Sequence, residues 1–185
     1  MRPRLATLGE IEAAVWQQLE RATSDRHHAF RVPVLATVCG EAADARTVVL
    51  REATRTTARL SFFTDVRSPK VAQIESCPGG TMVFWSASLH WQLRVAVALS
   101  VHKDGPRVDS VWARVATGGA ARDYLTAAAP GAALDDPAGC AVGERGHLAI
   151  VDAQIASVDW LELSGDAGGH RRARFEGGRS SWLVP

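Results

Sequence analysis

The chain has 185 residues, 46% of them hydrophobic, with 21 Lys and Arg against 20 Asp and Glu for a formal charge of +1. That balance excludes a general electrostatic pull toward nucleic acid or acidic membrane, so any anion site must be local. No apolar run approaches the roughly 20 residues that span a bilayer, and the length suits one well-formed core, read as a single domain over residues 1–185.

Residues 1–28 read as an N-terminal amphipathic helix with acidic residues, not a signal peptide. Thr7-Leu8-Gly9-Glu10 matches a capping box, and Ile11, Val15, Leu19 and Ala22 follow on one face, which predicts a helix over about residues 8–22. "HHAFRVPVLATVCG" then reads as a strand, "GEAADA" as a loop and "RTVVLREAT" as the second arm of a hairpin. "ARLSFFTD" is a third strand. It runs into a short helix with Ser68 as N-cap and Pro69 as its first residue, and "TMVFWSAS" is a fourth strand.

"HWQLRVAVALSVHK" is the most regular stretch. Trp91, Leu93, Val95, Val97, Leu99 and Val101 alternate on one face, with His90, Gln92, Arg94, Ala96, Ala98 and Ser100 on the other, as in a long antiparallel strand with one buried side. "GPRVDSVWARVATGG" and "ARDYLTAAAPG" predict two short helices broken at Gly118-Gly119, and residues 130–146, rich in Ala, Gly, Pro and Asp, predict a mobile loop. "HLAIVDAQ", "SVDWLEL", "RRARFEG" and "SSWLV" return to strands. The order predicts a mainly β (α+β) fold in which hairpin-linked antiparallel strands close into a small barrel or strongly bent sheet, with peripheral helices.

Several chemistries are missing: no GxGxxG follows a strand, and there is no GxxxxGK[ST], HExxH or GxSxG. Cys39, Cys77 and Cys140 are odd in number and far apart, and read as reduced structural thiols of a cytoplasmic protein. His27-His28 reads as a surface pair, and Asp135, Asp136 and Glu144 as solvated charges, so no metal is expected. Hard chemistry here calls for an organic cofactor.

Lys70 poses a local puzzle. A helix start carries partial positive charge and favours Asp or Glu, yet this one has a cation in its first turn and Arg67 just outside. Either both side chains point into water, at a cost of roughly a few tenths of a kcal/mol, or an anion is held there by the free N–H groups, the Ser68 hydroxyl and the Lys70 ammonium. Three other stretches have the same two readings, solvent face or ligand site: Arg46 and Arg51 flanking an apolar strand, Gln92 with Arg94 on the polar face of the long strand, and Arg172 with Arg174 near the C-terminus.

Taken in order, "RTVVLR … FFTDVRSPKVAQIESCP … HWQLRV … RRARF" resembles the pyridoxamine 5′-phosphate oxidase family and its FMN-binding relatives, well over roughly residues 30–102 and more loosely at the C-terminus. The resemblance implies an FMN-binding split β-barrel acting as a homodimer, with FMN in the clefts between subunits. It also implies roles. Arg46 and Lys70 would clamp the FMN phosphate with Ser68 nearby, Val48, Val49 and Leu50 would run along the flavin, and Arg51 stands where the family usually has Lys. Phe63 and Thr64 match a cofactor-contacting pair, Gln92 would bond the polar edge of the flavin, and Arg174 would approach the ring; Arg67 lies outside the pattern and is expected to be solvated.

The departures matter as much. Pro69 replaces a second basic residue, "VDSVWARVATGGAARDYL" lacks the family's Tyr, Arg and Ser grip on a vitamin phosphate, and the C-terminal His is missing from Arg171-Arg172-Ala173-Arg174-Phe175. The expectation is therefore an FMN-dependent oxidoreductase with another small-molecule substrate. The alternatives are the B6 oxidase itself, or a non-enzymatic binder of flavin or haem.

Overall fold

A computed structural model describes residues 5–136, 142–143, 146–164 and 169–185. The first helix, α1 (Leu8–Ser24), begins as the capping box predicts. The Thr7 hydroxyl accepts from the Glu10 N–H at 3.2 Å and the Glu10 carboxylate accepts from the Thr7 N–H at 3.0 Å. Ile11, Val15, Leu19 and Ala22 are all buried, joined by Trp16 and Gln18, and this face packs against β3 (Leu50–Thr54).

The other strands are β1 (Val34–Cys39), β2 (Ala42–Thr47), β4 (Arg59–Asp65), β5 (Gly79–Ser86), β6 (Trp91–His102), β7 (Leu148–Glu162), β8 (Arg171–Glu176) and β9 (Arg179–Leu183). All pairings between them are antiparallel, in the order β2-β1-β5-β6-β7-β4-β3, with β8 and β9 continuing from β7. β2 and β3 stand at opposite ends of that path yet are joined only by Val48 and Val49, so the sheet curls back on itself. The result is a split β-barrel, filled by Leu35, Leu50, Phe62, Met82, Phe84, Leu93, Val95 and Trp160.

The expected hairpin forms with a different division of residues. Ala42–Thr47 is strand, paired directly with β1 through a tight turn at Gly40, whose φ of +60° glycine adopts without a Cβ penalty. "RTVVLREAT" is two strands, because the chain leaves β1 after Thr47 and crosses to β4 from Leu50. The two strands expected over 147–163 are one. Pairing shifts from Ala96↔Ser157 to Val97↔Ile155, so β7 bulges at Ala156 and bends, using its first half to pair β4 and its second to pair β8.

Two helices complete the fold: α2 (Pro69–Ser76) and α3 (Pro106–Val115), with a 3-10 turn over Gly119–Tyr124. Val108, Val111 and Tyr124 pack with Leu148, Ile150 and Phe63 in a second cluster over the outside of β4 and β7. The start of α3 is tied down by charge: Arg107 donates to Asp152 at 2.7 and 3.0 Å and to Glu52 at 2.8 Å. Burial pushes the Asp152 carboxyl up, but the bonds from Arg107 and Ser61 outweigh it and hold it below the usual range.

The histidine pair is only half at the surface. His28 is half-buried; its Nε2 bonds Gln18 Oε1 at 3.0 Å and its Nδ1 accepts from the Phe30 N–H at 3.1 Å, so it caps the 3-10 turn over Ala29–Arg31. Asp135 and Asp136 are exposed; Cys140, Glu144 and part of the 130–146 stretch lie outside the described residues. Among the described residues no His, Cys, Asp and Glu group could hold a metal ion, and no helix is long and apolar enough to cross a membrane.

Candidate functional site

The turn between β4 and α2 is built around a buried carboxylate. Asp65 accepts from the Arg67 backbone N–H at 2.8 Å and from its guanidinium at 3.0 and 2.7 Å. Arg67 also donates to the carbonyls of Thr126 at 2.9 Å and Ala127 at 3.0 Å. The expectation of a solvated Arg67 is therefore corrected. Its charge is spent inside the turn, because the chain folds a carboxylate and two carbonyls into the plane of its fork.

Ser68 takes the N-cap backbone position of α2, but its hydroxyl does not cap. It accepts from the Lys70 ammonium, which also donates to the Thr64 hydroxyl at 3.1 Å. Lys70 is half-buried, and among the described residues no carboxylate forms an ion pair with it. Burial, and next the positive charge of Arg46, push the Lys70 pKa down, against an opposing pull from Asp65 and Asp44. Two cations are thus held near one another at a helix start, where the backbone adds positive potential.

Arg46 sits on β2 opposite Leu35 and points to the same end of the barrel. Its guanidinium donates to Thr37 at 2.6 Å, Gln73 at 2.7 Å and Asp44 at 2.5 Å, while the Gln73 amide donates to Asp44 at 2.8 Å. Lys70 and Gln73, three residues apart, share a face of α2 and present it to the ends of β1, β2 and β4. The Gln73 amide first, and Arg46 next, hold the Asp44 carboxyl below its usual range.

Thr37, Asp44 and Gln73 are the members that sequence reasoning passes over. Gln73 was legible from its spacing to Lys70, whereas Asp44 was not, because "GEAADA" reads as a loop and only the strand Ala42–Thr47 puts it on one face with Arg46. Together the cluster offers a fork, a point charge, three hydroxyls and uncapped helix N–H groups. That donor set suits a compact oxyanion such as phosphate.

The remaining predicted residues lie elsewhere in the chain. Val48 and Leu50 are buried and Val49 is half-buried on the crossing between β2 and β3. Arg51 lies 5.6 Å over the Phe63 ring, and burial raises the pKa of Tyr124 against the opposing positive charge of Arg51. Phe63 belongs to the second cluster, on the face of β4 opposite Thr64. Gln92 points outward from β6, opposite Trp85 and Leu161, and Arg174 pairs with Glu176 at 3.1 Å on β8. Of the predicted residues, Arg46, Thr64, Ser68 and Lys70 gather around the start of α2, while Arg51 and Phe63 meet apart from them.

Residues 13–103 match the family model for the pyridoxamine 5′-phosphate oxidase FMN-binding domain, a span that includes Arg46, Thr64, Ser68, Lys70 and Gln92 but not Arg174. Among solved structures, the chain resembles a pyridoxamine 5′-phosphate oxidase-related, FMN-binding protein from Nostoc punctiforme, with a TM-score of 0.70 and 22% identity, covering 98% of this chain and 100% of that one. PhzG from Burkholderia lata, solved with tetrahydrophenazine-1-carboxylic acid, gives a TM-score of 0.74 at 15% identity over 95% and 92% of the two chains. General Stress Protein 26 from Bacillus anthracis gives 0.53 at 14% identity over 79% and 92%. At such identities the likeness is one of fold. No curated protein matches in sequence.

Proposed function

From a chain that is, through residues 13–103, a relative of the pyridoxamine 5′-phosphate oxidase FMN-binding family rather than that oxidase itself, we propose a homodimeric FMN-dependent oxidoreductase acting on a small molecule. The observation that carries the reading is Lys70, half-buried beside Arg46 and, among the described residues, with only hydroxyls as partners, a pair of like charges that a phosphate would reconcile. Arg46 offers the fork and Lys70 the point charge, Ser68 and Thr64 supply hydroxyls, and the backbone of Val48–Leu50 runs beside the flavin ring. Bound FMN supplies two-electron transfer between a reduced donor and a small acceptor. The test is a titration of the purified chain with FMN, followed by anaerobic addition of NAD(P)H. One FMN per chain and bleaching of the flavin are expected. Absence of binding sinks the reading, bound flavin that no donor reduces favours a storage or sensing protein, and bleaching by pyridoxamine 5′-phosphate restores the B6 oxidase.

The dimer rests on the uncovered side of the sheet. Across β1, β5 and β6 most outward residues apart from Gln92 and Arg94 are small or apolar, and Val34, Val38 and Trp85 are 38%, 44% and 47% exposed. Antiparallel sheets normally turn polar residues to water on such a face, so an apolar one fits a second sheet. Gln92 and Arg94 lie within it, and a second copy packed there carries Gln92 and Arg174 toward the partner's clamp. Trp85→Asp is expected to shift the protein from dimer to monomer in sedimentation, with FMN affinity falling alongside. A monomeric wild type, or a variant that stays dimeric with full affinity, contradicts this arrangement.

A further inference from the structure

We infer that Asp44 is a displaceable internal counter-ion that sets how tightly the Arg46–Lys70 cluster holds a phosphate; the inference rests on reading that cluster as a phosphate site. One oxygen of Asp44 accepts from both Arg46 and Gln73, so it stands at the fork that a phosphate oxygen would use. The Gln73 carbonyl oxygen and the Thr37 hydroxyl also accept from Arg46, so the guanidinium keeps partners when the carboxylate leaves. The Gln73 amide and Arg46 hold the Asp44 pKa below the usual carboxylate range, so it is charged at neutral pH, where phosphate is charged too.

The side chain is 47% exposed on β2, the strand at one end of the sheet path, so a rotation about its first side-chain bond takes the carboxylate into water without disturbing the barrel. Asp44 thus offsets the repulsion between Arg46 and Lys70, and yields its place when an oxyanion carrying more charge arrives. A carboxylate left beside a bound phosphate would instead repel it, which makes departure part of binding. The balance between those two effects tunes affinity.

The test compares wild type with Asp44→Asn, which keeps the shape and removes the charge, and with Asp44→Ser in case the amide bonds in a new way. Thermal melts are run against inorganic phosphate at constant ionic strength, and each protein is titrated with FMN and with riboflavin, which lacks the phosphate. In phosphate-free buffer both variants are expected to melt below wild type; phosphate should restore them, with an apparent affinity about tenfold tighter than wild type. FMN affinity should rise in step while riboflavin affinity stays put. A merely structural Asp44 would give variants that phosphate does not rescue. Phosphate affinity that is unchanged or weaker in both variants overturns the inference, as does phosphate that stabilises none of the three proteins. Should phosphate behave as expected while FMN binds none of them, the inference stands and the flavin reading falls. Equal FMN affinity in all three would do the reverse.

Discussion

Lys70→Glu is expected to weaken FMN binding by about a hundredfold or more while leaving the fold intact. The substitution turns one jaw of the clamp from attraction to repulsion. A unit charge pair near a protein surface is worth about 4 kcal/mol at 4 Å, and after screening and side-chain movement roughly 3 kcal/mol remains, which is a little over a hundredfold. The fold should survive because the native Lys70 is itself held under repulsion from Arg46, which a Glu relieves. Fluorescence titration with FMN and riboflavin separates the phosphate contribution, with circular dichroism as the control on folding. FMN affinity equal to that of wild type would return Lys70 to the role of a surface charge.

Trp160→Ala should cost about 4 kcal/mol of stability, the middle of the range for emptying a large aromatic site. For a chain of this length that corresponds to roughly 10 °C in Tm. Trp160 is fully buried on the second half of β7, opposite Leu93 on β6 and Ala173 on β8, so three strands close around it. Its ring meets Trp91 edge-on at 5.5 Å, and the Arg171 guanidinium lies 5.5 Å from its centre. Strand segments cannot move together to fill the void without breaking their shared register, so the cavity term persists. Urea melts of Trp160→Ala and Trp160→Phe test this: a loss under about 1 kcal/mol for the alanine variant would show that the site collapses freely.

Where the sequence repeats with the period of an element, it was sufficient. Trp91, Leu93, Val95, Val97 and Leu99 are buried as their alternation required, and the capping box placed the start of α1 correctly. Both signals are local: parity along a strand and spacing along a helix depend only on neighbouring residues. The mismatch at Lys70 was legible for the same reason, since a cation in a first turn conflicts with backbone charge whatever surrounds it. The family pattern added the order of the basic segments, and with it Arg46.

Tertiary structure decided the rest. Nothing local marks Thr47 as the end of a strand, because the break at Val48-Val49 comes from the sheet exchanging β1 for β4 as partner. β7 likewise reads as two strands because its first half is covered on both faces and its second is not, a difference set by α3 and β8. Gln73 joins Arg46, Asp44 and Thr37 only because α2 closes over the end of the barrel. Arg67 looked like a free charge until Asp65 and the carbonyls at 126 and 127 were folded around it. Composition and periodicity fix which side of each element is apolar. Which polar groups meet, and so which charges are spent in the fold and which are left for a ligand, depends on distances between segments far apart in the chain.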